Sequence, residues 1–529
     1  MKKVLALLLA CLMLAAFLSG CGGTAAVEEE AKPASSGSSP AAKPADSGDD
    51  GEEEAFTRFE DRQDINVYMR TWADWEGKTE VFEEINKISE EKLNIHMNFT
   101  CMATEFATQL PLMLAAGEVV DLTMVPWNFA TMSAQNMLLP LNDYLDEYAP
   151  FIVENCTPYL PACSLDGNIL AVPTLRMYNT SNYLLYRQDV LEYLGLYDEA
   201  MAVDSFSKLE ALLLKVQAAQ PDLPEELQTP IIFGQQNGTG SVLAYQGLQW
   251  EADEWKDAKA SDYLGCQYIW VDDETGEVSN NITNHAAKVF YDRFYKWFHE
   301  GLISKDVVTT SEYADTLMSN GQFFCYPSNA EYGAAFAKSN NTGRPLCSVM
   351  MKNIGLTTSY VQCFAWGLPV TCENPEAAVA AMNLIFENKD VANLLVWGIR
   401  GRDYELDENG CAYRLEGHTY EALEYFQGNQ FNAYPPVQPE GSEYRQNQWN
   451  DNVNGYISPF FGLNIDNTEI ANELTAVQNV MDKYYPVIAC GQVAATDEYL
   501  AEFEKEMNAA GMQKIIDFYQ EAVDEWLGK

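Results

Sequence analysis

Between Asp64 and Val125 the hydrophobic period of the chain alternates between two values, and that alternation constrains the fold more than any other feature. "DINVYMR" puts Ile65, Val67 and Met69 on one side of an extended strand, a period of two. Thr79 to Leu93 sets Val81, Phe82, Ile85 and Ile88 on one face of a helix, a period of 3.6. "LNIHMNFT" returns to alternation through Ile95, Met97 and Phe99. "FATQLPLMLAAGEVVDLTMVPW" then reads as a helix, a glycine stop and a short strand, Val120 to Val125. Strand, helix, strand, helix, strand at this spacing predicts an open α/β layer with a largely parallel sheet. Ligands of such sheets bind outside the carboxyl ends of the strands. Attention therefore falls on "YMRTWADW" after the first strand and "VPWNFA" after the third.

The chain starts quite differently. Met1-Lys2-Lys3 is basic, and Val4 to Leu18 is nearly all Leu and Ala. That run is shorter than the ~20 apolar residues a spanning helix needs. A basic start, a short apolar core and small residues at its end describe an export signal over 1–20. Leu18-Ser19-Gly20-Cys21 resembles a bacterial lipobox, which implies cleavage before Cys21 and lipid on its thiol. Each acyl CH₂ adds ~0.8 kcal/mol of membrane affinity, so two or more chains anchor stably. The linker that follows, through residue 58, is rich in Ala, Ser, Gly, Pro, Glu and Asp. It lacks the apolar surface that would offset its ordering entropy. It reads as a tether.

Charge and motifs narrow the function. The 78 acidic against 32 basic residues leave a formal charge of -46, which argues against nucleic acid or anionic lipid as partners. Cys101, Cys156, Cys163, Cys266, Cys325, Cys347, Cys363, Cys372, Cys411 and Cys490 form no C-x-x-C, and no His stands near one at zinc spacing. Most lie in apolar stretches and read as buried free thiols. The acidic hairpins "VDDETGEVSNN" and "LDENG" miss the order of an EF-hand loop and read as plain turns. No H-E-x-x-H, G-x-S-x-G or P-loop occurs, and the four His are scattered. No metal, cofactor or catalytic group is expected.

A run of segments then carries a family likeness. "AAGEVVDLTMVPW", "LLPLNDYLDEYAP", "LDGNILAVPTLRMYNTSNYLLYRQDVLEYLGL", "FYDRFYKWFHEGLISKDV" and "FAWGLPVTCENPEAAVAAMNLIFEN" resemble, in order, the extracellular solute-binding proteins of ABC importers. "WGIRGRDYELDENG" and the tail from "NVMDKYYPV" onward resemble a long lipoprotein branch associated with complex carbohydrates, with an extra C-terminal helical region. The resemblance implies a periplasmic-binding-protein-like fold, two α/β lobes around a cleft. Lobe 1 would comprise 59–172 and 365–529, and lobe 2 would comprise 173–364, with "AVPTLR" crossing over and "FAWGLPV" crossing back. It also implies a monomer that delivers a ligand to membrane permease subunits and touches the membrane only through its lipid. Tail stripes Ile470, Leu474, Val477, Met481, Tyr484 and Ile516, Tyr519, Val523, Trp526 read as amphipathic helices packed on the body.

Aromatic residues make up 12% of the chain, with 11 Trp and 29 Tyr. The apolar C–H face of a sugar ring stacks on an aromatic plane, and its hydroxyls need fixed polar partners. The loops at the expected cleft hold that mixture. The candidates are Arg70, Trp72, Asp74, Trp75, Trp127, Asn128, Arg176, Tyr178, Ser328, Glu331, Trp366, Arg402 and Tyr404. The expected ligand is an oligosaccharide or other carbohydrate. The same fold serving peptides or another small solute, and a surface glycan-degrading enzyme, are the alternatives. Arginines in such a cleft could hold a uronic-acid carboxylate or bond hydroxyls.

Overall fold

The computed structural model describes residues 59–529 apart from positions 104, 128, 235–247, 261 and 311. The expected signal, Cys21, the tether and Asn128 lie outside the described residues. In chain order the first lobe opens with β1 (Gln63–Arg70), α1 (Lys78–Leu93), β2 (Ile95–Met102), α2 (Phe106–Ala115), β3 (Leu122–Met124) and β4 (Val172–Pro173). The second contains β5 (Thr180–Arg187), β6 (Ile231–Phe233), α3 (His285–His299), β7 (Phe323–Ala330) and β8 (Leu346–Gly355). The chain then returns through β9 (Ala365–Gly367) and α4 (Pro375–Glu387), and ends in α5 (Tyr444–Asn454), α6 (Ala471–Ala489), α7 (Asp497–Ala509) and α8 (Met512–Trp526).

The alternation read from the sequence is what the first lobe buries. Ile65, Val67 and Met69 are enclosed on one face of β1, and Val81, Phe82 and Ile85 of α1 cover them. Phe82 stacks on Phe99 of β2 with ring centroids 4.3 Å apart. α1 stops where Asn94 takes the left-handed conformation, φ 61°, and its side-chain amide donates to the carbonyl oxygens of Phe59 and Glu60. The sheet runs β2-β1-β3-β9-β4. β1, β2 and β3 are parallel, and β9 is antiparallel to both β3 and β4. The carboxyl ends of β1, β3 and β4 and the amino end of β9 therefore share one edge.

The second lobe is built on a sheet of order β8-β5-β7-β6, in which the central β5 is antiparallel to both neighbours. Leu184 and Tyr186 of β5 face an apolar core that also takes Phe206, Trp250, Trp255 and, from α3, Phe290, Phe294 and Trp297. Phe206 meets Trp250 edge to face at 5.4 Å, an arrangement aromatic rings favour.

The C-terminal helices correct one expectation. The sequence reading groups 365–529 with lobe 1, but from Phe460 onward the buried side chains belong to the lobe 2 core. Val477, Met481, Tyr485 and Ile488 of α6, Phe503 and Met507 of α7, and Ile515, Tyr519 and Val523 of α8 all pack there. Ile470, Val477, Met481, Tyr519 and Val523 are buried as the stripes predict, whereas Tyr484 and Ile516 sit at the edge and their neighbours Tyr485 and Ile515 are enclosed. Trp526 is 40% exposed, with its indole NH on the Pro459 carbonyl. An apolar stripe specifies that a helix is covered, not which body covers it.

The chain consequently crosses between the lobes three times, at 174–179, 356–364 and 455–460. The crossings are tied to one another. Leu356 NH donates to the Tyr456 carbonyl (2.8 Å), and Ser458 NH donates to the Leu356 carbonyl (3.0 Å). Gly355 precedes that pairing with φ 82°, and a Cβ there would lie 2.2 Å from the Tyr456 oxygen, so only glycine fits without displacement. Buried Asn452 clamps the first crossing. Its Oδ1 accepts from the NH groups of Tyr178 (2.7 Å) and Asn179 (3.1 Å), and its Nδ2 donates to the Arg176 carbonyl (2.6 Å).

The ten cysteines of the folded body are unpaired, and seven of them are buried. Burial pushes the thiols of Cys266, Cys347 and Cys490 up to about 11, 12 and 12, which leaves them protonated and inert. The acidic hairpins are turns whose carboxylates serve their own backbone. Asp272 accepts from the NH groups of Glu274 and Thr275, and Asp407 from those of Asn409 and Cys411. No described helix is long and apolar enough to cross a membrane.

Candidate functional site

The shared sheet edge of lobe 1 carries an aromatic shelf. Arg70 ends β1, and two residues later Trp72 projects from the loop. Trp127 follows β3 with φ 50°, a left-handed conformation that costs a non-glycine residue on the order of 1 kcal/mol. Its NH donates to the Cys363 carbonyl at 2.7 Å, which ties that strained turn to the returning chain beside β9. The Trp127 ring meets Trp72 at 5.9 Å, Phe364 at 4.7 Å and Phe426 at 5.7 Å, all edge to face. Phe364 packs in turn on Phe426 (4.5 Å) and Tyr425 (5.1 Å). Trp72 and Trp127 remain 49% and 47% exposed. Among the tryptophans only these two and Trp526 are exposed, so the open face of the shelf is not an average surface.

The Arg70 guanidinium sits over both indoles, 4.8 Å from the Trp72 centroid and 4.7 Å from that of Trp127. Each contact is a cation–π attraction of about 0.5–2 kcal/mol. Its Nε is buried without an acceptor, and burial lowers its pKa.

Beneath the shelf a second arginine links the lobes. Arg176, in the first crossing, is buried; its Nη1 donates to the Met177 carbonyl (2.8 Å) and its Nη2 to the Tyr360 carbonyl (2.7 Å). Its guanidinium lies 4.4 Å from the Tyr360 ring and 5.0 Å from that of Phe364. The Tyr360 hydroxyl donates to Glu331, which follows β7 of lobe 2. Burial and the Glu331 carboxylate hold that hydroxyl far above the usual tyrosine value. A continuous line thus runs from lobe 1 through the second crossing into lobe 2.

The predicted residues divide accordingly. Arg70, Trp72 and Trp127 form the open shelf, Arg176 lies beneath it in the first crossing, and Glu331 reaches the second crossing from lobe 2 through Tyr360. Trp366 on β9 is fully enclosed, its indole NH on the Phe426 carbonyl (3.2 Å), so it props the shelf from the core. Tyr178 is likewise enclosed, with its hydroxyl on the Thr174 carbonyl and its ring 4.8 Å from Tyr159. Ser328 is buried in β7 and donates to the Asn329 carbonyl (3.1 Å). Asp74 pairs with Lys78, and Trp75 packs on Tyr420 at 4.9 Å.

Arg402 is committed elsewhere. It donates to Asp403 (2.6 Å) and to the Gly77 carbonyl (3.0 Å). Burial alone would raise the Asp403 carboxyl, but hydrogen bonds from Arg402 and from the Ile399 and Thr419 NH groups hold it below its usual value. Tyr404 is buried between Trp397 and Tyr434. The shelf residues missing from the sequence reading are Phe364, Tyr425 and Phe426. Phe364 lies two positions before Trp366 in "QCFAWG"; the loop of Tyr425 and Phe426 carries no local signal and arrives through Leu175, whose NH donates to the Gly428 carbonyl (2.7 Å).

The chain matches the crystal structure of the N-glycan transport solute binding protein NgtS of Streptococcus pneumoniae with a TM-score of 0.75, at 18% identity, over 88% of this chain and all of that one. The fold is that of the solute-binding proteins. NgtS in complex with Man5GlcNAc gives a TM-score of 0.62. An HMO-binding solute-binding protein from Bifidobacterium longum infantis gives 0.62 at 15% identity, over 88% of this chain and 99% of that one. In sequence, the chain is 21% identical over 477 residues to a carbohydrate ABC transporter substrate-binding protein of S. pneumoniae serotype 4, covering 85% of this chain and 88% of the relative. A domain of unknown function, DUF3502, matches residues 459–528, the segment that packs onto lobe 2.

Proposed function

We propose that this protein is the lipid-anchored substrate-binding component of an ABC importer, which captures an oligosaccharide between its lobes and hands it to a membrane permease. The observation that carries this reading is the half-exposed pair Trp72 and Trp127 at the edge where the lobe 1 strands converge. Tryptophan combines a large apolar plane with an indole NH, the mixture that ligand and partner surfaces favour. A sugar ring laid on an indole covers its apolar face while Arg70 meets its oxygens. The three crossings allow the lobes to close over the ligand by a hinge motion. The glycan-binding relatives support the same class of ligand. Lipid on Cys21 would keep the protein beside its permease, and the acidic tether would hold it clear of an anionic surface.

The test is a thermal-shift screen of the purified chain against neutral and acidic oligosaccharides, with peptides as a parallel arm. Ligand at about 100 times Kd adds ~2.7 kcal/mol of apparent stability. A saturable shift with a glycan and none with peptides supports the reading. Shifts with peptides alone overturn it, and so does release of cleavage products from a bound glycan. For the anchor, labelled palmitate is expected to enter the wild-type protein in cells and not Cys21→Ala.

A further inference from the structure

Arg70 differs from every other described arginine. Carboxylates serve Arg62, Arg187, Arg400, Arg402 and Arg445. Main-chain carbonyls serve Arg176, Arg344 and Arg414. Arg293 lies over Phe206 in the field of Asp253 and Glu210. Among the described residues Arg70 meets only the two indole faces, with no carboxylate or carbonyl partner, and burial lowers its pKa. In a chain with 78 acidic and 32 basic residues, a partly buried cation without an acid beside it runs against the composition. Of the carboxylates on the loops around the shelf, Asp74 pairs with Lys78, Glu331 accepts from the Tyr360 hydroxyl and Glu424 pairs with Arg445. The remaining negative charge of the body acts weakly here, since screening sets in beyond about 8 Å at physiological salt.

A partly desolvated guanidinium is costly to leave unpaired. Its planar fork matches a carboxylate through two parallel N–H···O bonds, whereas a sugar hydroxyl leaves the charge uncompensated. Trp72 and Trp127 hold the fork in place, so little side-chain freedom is lost when an anion docks. We propose that the bound glycan is acidic, with the carboxylate of a uronic- or sialic-acid-type residue on Arg70 and that sugar's ring on the neighbouring indoles. The proposal rests on the carbohydrate reading above and adds the charge of the ligand to it.

The experiment is calorimetric titration of the full chain with three matched pairs: trigalacturonate and galactotriose, 4-O-methylglucuronosyl-xylotriose and xylotriose, and 3′-sialyllactose and lactose. At least one acidic member is expected to bind ten-fold or more tightly than its neutral partner. That preference is expected to vanish in Arg70→Gln and to shrink in Arg70→Lys, which keeps the charge and loses the fork, with both variants melting as folded proteins without ligand. Binding in which every neutral glycan is held as tightly as its acidic partner overturns the proposal and leaves the carbohydrate reading standing. An acidic preference that survives in Arg70→Gln also overturns it. No binding by any member of the panel removes the carbohydrate reading, and this inference with it.

Discussion

Replacing Trp127 with alanine separates a binding shelf from an incompletely covered core. The side chain of a tryptophan offers ~200 Å² when fully covered. Trp127 is 47% exposed, so roughly 100 Å² of it is open to a ligand. Covering that area with apolar atoms would contribute ~2.5 kcal/mol at ~25 cal/mol per Å². A sugar face is only about half C–H, which leaves ~1.2 kcal/mol, about an eight-fold change in Kd. The buried half of the ring packs on Phe364 and Phe426, so the unliganded variant is also expected to lose ~2–3 kcal/mol of stability. Titration calorimetry well below the melting temperature of the variant reads binding alone, and chemical denaturation reads stability alone. The expected result is weaker glycan binding in Trp127→Ala and near-normal binding in Trp127→Phe, which keeps an aromatic plane. Lost stability with unchanged Kd would refute the reasoning and make Trp127 a packing residue.

Other outcomes follow from the crossings and the tail. Asn452→Ala removes partners from two buried NH groups and one buried carbonyl, and is expected to cost about 3 kcal/mol or more, measured by urea denaturation. Asp273, whose carboxylate accepts a hydrogen bond from the Tyr456 hydroxyl, has its pKa raised by burial from 3.8 to about 6. The folded state therefore binds this proton more tightly than the unfolded chain, so the stability Asp273 contributes falls as pH rises from about 4 to about 6 and is level above. Asp273→Asn is expected to flatten that part of the stability–pH curve; an unchanged slope refutes the assignment. A chain ending before Phe460 strips the lobe 2 core of α6, α7 and α8, and is expected to be insoluble or rapidly proteolysed, with resistant fragments drawn from lobe 1 alone.

The parts legible in the sequence are those set by local periodicity. Ile65, Val67 and Met69 announce β1 because a half-buried strand must alternate, and the rule that ligands sit beyond strand carboxyl ends leads directly to Arg70, Trp72 and Trp127. What escaped depends on long-range packing. Trp366 shares the composition of a cleft residue, but a strand hydrogen-bonded on both sides in the middle of the sheet encloses it. Tyr425 and Phe426 reach the shelf only because Leu175 pairs with the chain some 250 residues later. The tail helices show the same limit: their stripes predict burial, yet attachment to lobe 2 rather than lobe 1 is decided by the third crossing at 455–460. That crossing has no hydrophobic period of its own.

The central claim is that Trp72 and Trp127 receive the ligand, and tryptophan fluorescence reads it most directly. They are two of the three exposed indoles, and the third, Trp526, stands on the lobe 2 tail. Titration with a glycan that binds by calorimetry is expected to shift the emission to the blue and to protect two of the three accessible tryptophans from acrylamide quenching. Both effects should be absent from the Trp72→Phe, Trp127→Phe double variant. A glycan that binds while quenching stays unchanged in the wild-type protein would contradict the account and place the binding site elsewhere.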